Sequence, residues 1–270
     1  MSNKALPVLA AFLLLGSAAA WYWWPHIAPT PAPPPAVTAP AAPEPEPAIA
    51  NPMPAPAAEA PALPALADSD AAFTSALTAI HGAGSLGGYL QPENLIRHIV
   101  ATVDNLPRHR LAVELRPLKP TGGSFQVTGG DEKSTLDEHN AARYAPLVAL
   151  VDKLDMHAVN GLYQHYYPLF QRAYQDLGYP QGYFNDRLVG VIDHLLATPH
   201  PAAPLALVRP KVFWEFADPE LEARSAGQKL LLRMGPDNAA IVERKLRELR
   251  ALVASGPGAT RAAPAPAANQ

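Results

Sequence analysis

The sequence predicts a mainly α-helical domain with a minor extended part, placed behind an apolar N-terminal segment and a proline-rich linker. Three observations lead to this prediction. Between residues 68 and 254, apolar residues recur at helical spacing in stretches bounded by capping residues, Gly and Pro. Ahead of them, residues 25–64 contain 15 of the 32 prolines of the chain. Residues 5–24 form a run of twenty uncharged residues.

Seven helices are predicted, over residues 71–80, 92–106, 137–154, 155–177, 185–198, 218–234 and 237–253. Asp155, Asn185 and Asp218 are the expected N-caps, because short polar side chains accept hydrogen bonds from the first helical N–H groups. The extended part is predicted at 124–128 and 209–216. In the second of these stretches Val212, Trp214 and Phe216 alternate to one side.

The N-terminal segment is predicted to anchor the protein in a membrane. Ala5–Trp24 is long enough to cross a hydrocarbon core of roughly 30 Å, and its end is rich in the aromatic residues of a membrane interface. Lys4 precedes it and the next Lys or Arg is Arg97, so residues 1–4 are expected in the cytoplasm and the rest outside. The alternative is a signal peptide cleaved after Ala20.

The remaining boundaries follow from composition. Residues 25–67 are predicted to be a disordered Pro/Ala-rich linker, 68–254 a helical domain on the outer side of the membrane, and 255–270 a disordered tail. The domain carries 19 basic and 21 acidic residues, a balance that argues against nucleic acid as the partner. The absence of cysteine excludes a disulfide and a cysteine-ligated metal.

The folded part contains six distinctive motifs, YYPLF at 166–170, LGYP at 177–180, FNDRL at 184–188, IDHLL at 192–196, RPKV at 209–212 and SAGQK at 225–229. Together they resemble a mainly proteobacterial family described as a domain of unknown function (domain of unknown function 3014), over residues 86 to about 250. The resemblance implies a membrane-anchored helical domain and brings no activity, cofactor or site residue with it. With the predicted anchor, it places the protein in a bacterial inner membrane, with a single span and the domain of residues 68–254 in the periplasm.

One face of the helix predicted at 185–198 carries acid, base and imidazole groups. Spacing of seven residues puts Asp186 with Asp193, and Arg187 with His194, opposite the apolar stripe. A carboxylate beside an imidazole can perform acid–base work. The alternative is a solvated face, or a polar network that holds Arg209 and Lys211 in place. Gly190 leaves room for a close approach to this face.

A second candidate is the pair Ser225 and Lys229, which are four residues apart on a predicted helix. A serine–lysine nucleophile is one interpretation, and tight helix packing at Ser-Ala-Gly is the other. No cofactor is predicted, and the spacing of His157 and His165 does not suit a shared metal. The candidate functional surface therefore comprises Asp186, Arg187, Asp193, His194, Arg209, Lys211, Arg224, Ser225 and Lys229.

Three functions are compatible with this sequence. The first is a non-catalytic interaction or adaptor module that contacts an envelope protein, for which Arg187, Asp193 and Arg224 would form the contact. The second is a module that binds peptidoglycan or a small ligand in a groove of exposed aromatic residues. The third is an envelope hydrolase, which needs a deep pocket where Asp193, His194, Ser225 or Lys229 converge. Oligomeric state and partner identity do not follow from the sequence.

Overall fold

The computed structural model describes residues 48–54, 61–80, 84–130, 134–202 and 204–254. Eight α-helices and one four-stranded sheet lie in these residues. In chain order they are α1 (Asp70–Ala79), α2 (Leu95–Asn105), β1 (Val127–Thr128), β2 (Ser134–Leu136), α3 (His139–Asp152), α4 (Met156–Asp176), α5 (Phe184–Leu196), β3 (Ala206–Val208), β4 (Glu215–Phe216), α6 (Pro219–Glu222), α7 (Ala226–Arg233) and α8 (Pro236–Val253). The predicted mainly helical domain is confirmed for this part of the chain.

Helices α1, α2, α4 and α5 enclose the main core, which α8 closes with Val253. Its centre is Phe184, which is 1% exposed and stacks on Phe170 with ring centroids 5.7 Å apart. Tyr163 and Tyr174 pack around the same ring. Burying such large apolar surfaces removes them from water and is the main stabilising term of the fold.

The sheet is antiparallel, with strand order β1-β2-β3-β4. Leu207 of β3 pairs with Phe216 of β4, and both side chains are buried. Leu221 of α6 and Leu232 of α7 cover them and form a second, smaller core. The sheet is therefore held by one apolar face that the helices α6 and α7 shield from water.

Several predicted helix boundaries are wrong, and the helix predicted from residue 92 begins only at Leu95. The helix predicted from Asn185 begins one residue earlier, because the side chain of Gln171 accepts the N–H of Phe184 at 2.9 Å. Asn185 is buried inside the helix instead of capping it. The helix predicted over 218–234 is interrupted after Glu222, and Ser225 caps the new helix α7 by accepting the N–H of Gln228 at 3.2 Å. The cap at Asp218 is confirmed.

The extended stretch predicted at 209–216 is confirmed only at its end. Residues 209–214 form the connection between β3 and β4, and Phe216 alone of the three alternating residues is buried. Val212 is exposed and Trp214 is half-buried, because the chain turns there and the side chains of a turn share no common face.

Residues 48–54 pack against α5, although the sequence assigns them to the linker. The carboxylate of Asp186 accepts hydrogen bonds from the backbone N–H of Ala50 at 3.1 Å and of Asn51 at 2.6 Å. The side chain of Asn185 donates to Asn51 O, and Met53 packs on the main core. Asp186 therefore positions this segment of the chain.

Within the described residues no helix combines the length and the apolar character that crossing a bilayer requires. The predicted anchor at 5–24 and the predicted tail at 255–270 lie outside the described residues.

Candidate functional site

The centre of the candidate site is the buried carboxylate of Asp104 on α2. Asp104 follows Ile96 and Val100 at four-residue spacing, so it lies on the buried face of the helix and is 1% exposed. Arg187 Nε donates to its Oδ1 at 2.9 Å, and Arg108 donates to its Oδ2 at 2.6 Å. A buried charge needs such partners, because it has lost its hydration.

The carboxylate of Asp104 fixes the position of two guanidinium groups. Arg187, on α5, also donates to the backbone oxygen of Asp104 at 2.7 Å and keeps a third of its side chain exposed. Arg108, just after α2, additionally donates to the hydroxyl of Tyr179 at 3.2 Å. Both cations therefore reach solvent from a rigid, buried base, and one carboxylate serves two positive charges.

His194 lies about two turns further along α5 than Arg187, on the same face of the helix. A hydrogen bond of 2.8 Å joins its Nε2 to the hydroxyl of Ser225. Gln228 donates from its side chain to the backbone oxygen of His194 at 3.1 Å. Because Ser225 is also the N-cap of α7, the imidazole and the start of α7 hold each other in place.

Arg224 is a cation of this region that has no partner among the described residues. Its guanidinium has no hydrogen bond or ion pair to any described residue, and its Nε is buried without a hydrogen-bond partner. Most buried donors in folded proteins are satisfied, so an unsatisfied one calls for an explanation such as a bound water or ion. This donor lies in the residue directly before Ser225.

The two charged groups that shift the pKa of His194 are both positive. Burial, Arg187 and Arg224, in that order, lower the pKa of His194 below its usual value of 6.5. This shift favours the neutral imidazole at pH 7, and an anion placed beside it would offset the part of the shift that comes from Arg187 and Arg224. We call the group Arg187, His194, Arg224 and Ser225, with its supporting Asp104, the arginine–histidine site.

Four of the nine predicted residues thus come together, and five do not. Asp186 holds residues 50 and 51, and Asp193 forms a two-fold ion pair with Arg250 of α8 that also lowers the pKa of Asp193. The amine of Lys229 is bonded to Glu222 at 2.6 Å instead of approaching Ser225.

Arg209 and Lys211 are also outside the site. They lie in the connection between β3 and β4, where Arg209 Nε donates to Val212 O at 3.1 Å. The sequence allowed a polar network that would join these two residues to α5. No such network forms in the described residues. Gly190 faces open space, and a Cβ there would meet no atom within 4 Å.

Asp104, Arg108 and Tyr179 were missed by the sequence analysis. The available signal was an aspartate at a position of the apolar stripe of α2, followed four residues later by an arginine that can pair with it. Tyr179 carries no such signal, because its contact with Asp104 bridges 75 residues of sequence.

The Ser225–His194 pair lacks the other parts of a hydrolytic site. The N–H groups of Ala226 and Gly227, which could have stabilised an oxyanion, donate to Arg108 O at 2.7 Å and to Leu106 O at 2.9 Å. No carboxylate in the described part of the chain pairs with His194, and the adjacent Asp193 pairs with Arg250. Among the described residues, no three His, Asp or Glu side chains are grouped to hold a metal ion.

The fold and the site define a small helical domain with a surface cluster of cations supported by a buried carboxylate. The family model for "Protein of unknown function (DUF3014)" matches residues 95–250, a range that contains every residue of the arginine–histidine site. The chain belongs to this family. No curated protein and no solved structure matches the chain significantly.

Proposed function

We propose that the chain is a single-pass protein of a bacterial inner membrane that presents this domain to the periplasm as a non-catalytic interaction module. Ala5–Trp24 is its anchor, and the Pro/Ala-rich stretch that follows is a spacer between membrane and domain. The partner is an envelope protein that places an acidic group in the arginine–histidine site.

The observation that carries this proposal is the unpaired guanidinium of Arg224. Arg108 and Arg187 share the single carboxylate of Asp104, and Arg224 has no partner among the described residues. The three arginines thus carry three positive charges, and Asp104 supplies one negative charge to them. Because arginine forms charge-assisted, bidentate hydrogen bonds with carboxylates and phosphates, this excess favours an anionic group of a partner.

The peptidoglycan or small-ligand alternative has less support. Peptidoglycan also offers carboxylates, but the aromatic residues that would line a glycan groove are mostly in the core, where Tyr163, Tyr166 and Tyr174 are at most 8% exposed. A cavity of about 220 Å³ beside Tyr183 is smaller than the usual 300–1,000 Å³ of ligand pockets. A hydrolase is disfavoured by the engaged backbone N–H groups of Ala226 and Gly227.

Cross-linking in intact cells, followed by purification and mass spectrometry, tests the interaction. We expect one envelope protein to be captured reproducibly by the wild type and about tenfold less by Arg224→Gln, since each charge-assisted hydrogen bond contributes about 1.5–3 kcal/mol. Arg244→Gln is the matched control, because Arg244 is a surface arginine already paired with Asp152 and Glu248. Equal capture by all three proteins would contradict the proposed site.

Two further readouts separate the alternatives. Retention on purified peptidoglycan that is lost in Arg224→Gln would assign the site to the cell wall. Protease added to spheroplasts is expected to degrade the domain, and protection of the domain would refute its periplasmic location.

Titration of the full-length protein with inorganic phosphate measures the anion affinity directly. A bound anion offsets the repulsion from Arg187 and Arg224, so it raises the pKa of His194, and the complex binds more protons than the free protein. The affinity for phosphate should therefore rise as the pH falls from 7 to 5. Protonation of the phosphate itself changes the affinity over the same range and is a separate effect. The His194→Gln variant corrects for that change, and a pH profile identical to its profile would exclude a role for His194.

A further inference from the structure

The connection between β3 and β4 ends in exposed apolar residues. We define the hairpin tip as residues 208–213, sequence VRPKVF. Phe213 is 79% exposed and Val212 67% exposed, the highest values of any large hydrophobic side chain in the described residues. Val208, at the start of the tip, is 45% exposed. Single exposed apolar residues are common, but three within six residues indicate a contact surface.

The charges of the tip are all positive. Arg209 and Lys211 are exposed, and neither forms an ion pair with a described residue. The sequence contains no Asp or Glu between Asp193 and Glu215. The tip therefore presents alternating basic and apolar side chains, a pattern that suits an anionic, partly apolar surface.

The tip is supported from its base. Arg209 bonds to Val212 O at 3.1 Å, and its guanidinium lies 5.6 Å from the ring centroid of Trp214. Arg233 of α7 donates to Trp214 O at 3.3 Å, and the adjoining Leu207 and Phe216 are buried between sheet and helices. The exposed residues thus stand on an ordered base.

We propose that the hairpin tip docks on a bilayer of anionic phospholipid, with Val212 and Phe213 among the lipid headgroups and Arg209 and Lys211 at the phosphates. A protein partner would need about 800 Å² from each side, far more than two side chains offer. A lipid surface accepts a small protruding contact, because one aromatic ring and two cations add affinity independently there. No residue of the arginine–histidine site belongs to the tip, so this inference is independent of the proposed function.

Fluorescence quenching by lipid-borne nitroxides tests the docking. The chain has no cysteine, so Val208→Cys in the full-length protein gives a single labelled position on the tip. Ala240→Cys, at an exposed position of α8, gives the control label. In vesicles of phosphatidylglycerol and phosphatidylcholine with nitroxides on the lipids, we expect quenching at least threefold stronger at position 208 than at position 240. The readout is the depth of the label, so it does not depend on how the N-terminal segment binds.

Two changes should abolish the difference between the labels. Phe213→Ser removes the most exposed apolar side chain, and pure phosphatidylcholine removes the negative charge. Either is expected to lower quenching at position 208 about threefold or more, while urea unfolding of Phe213→Ser stays at the wild-type midpoint because the ring is exposed. Equal quenching at the two labels, or quenching that Phe213→Ser leaves unchanged, would overturn the proposal. Cross-linking of the tip to a protein without lipid quenching would also overturn it.

Discussion

Replacing Asp104 with alanine is expected to lower the free energy of unfolding by about 3 kcal/mol, the low end of the range for breaking a buried ion pair. The substitution removes the acceptor of Arg187 Nε, of Arg108 and of the Tyr179 hydroxyl. Arg187 would keep only the backbone oxygen of residue 104 as a partner. The loss stays near the low end because both guanidinium groups reach water, which screens the uncompensated charge.

Urea unfolding at pH 7 measures this effect as a lower midpoint at an unchanged slope. Asp152→Ala is the matched control, since Asp152 also pairs with an arginine but is 42% exposed. An exposed ion pair contributes little, and the control should change the free energy of unfolding by less than about 1 kcal/mol. If the two variants unfolded at the same urea concentration, Asp104 would not be the support of the site.

Gly227→Ala is expected to destabilise the domain by about 2 kcal/mol. A Cβ at position 227 would lie 2.5 Å from Leu195 Cδ2 and 3.1 Å from the backbone oxygen of Leu106. That oxygen accepts the N–H of Gly227 at 2.9 Å, so the start of α7 cannot move away without losing this hydrogen bond. Overpacking of this kind costs about 1–3 kcal/mol, and the better helix propensity of alanine offsets only part of it.

Gly190→Ala, on the neighbouring helix α5, is expected to raise the stability of the domain, whereas Gly227→Ala lowers it. A Cβ at Gly190 meets open space in the middle of α5, so alanine should stabilise the domain by about 0.5–1 kcal/mol. Thermal unfolding of both variants compares them in one experiment. A lower midpoint for Gly190→Ala than for Gly227→Ala would show that the packing between α5, α7 and the end of α2 is not as described.

Asp104 connects the stability of the domain to the proposed binding. Its carboxylate is already paired with Arg187 and Arg108, so it does not neutralise the charge of Arg224. Asp104→Asn removes the charge and keeps one of the two acceptor oxygens, so it should lower the free energy of unfolding less than Asp104→Ala does. If this variant unfolds near the wild-type urea midpoint but binds phosphate with a different affinity, the charge of Asp104 contributes to anion binding more than to stability.

The N-cap at Ser225 illustrates where local reasoning was insufficient. Asp218, Pro219 and Glu220 mark a helix start that the structure confirms, and the following residues favour a continuous helix. A new helix begins after Ser225, because the Ser225 hydroxyl bonds both to the N–H of Gln228 and to His194. His194 lies 31 residues earlier, on another helix. No local pattern contains that partner.

The sequence by itself determined the helical character of the domain and most helix positions, because apolar periodicity and capping residues act within a few neighbouring residues. The family, which the motifs resembled, is shown by the family match over residues 95–250. The sequence also indicated Arg187, His194, Arg224 and Ser225 as candidates. Only the tertiary structure decided that these four meet, that Asp193 and Lys229 are engaged elsewhere, and that Asp104 supports the site. The physical reason is that ion pairs and hydrogen bonds between distant segments depend on how the helices pack, and packing brings together side chains that are 31 to 83 residues apart.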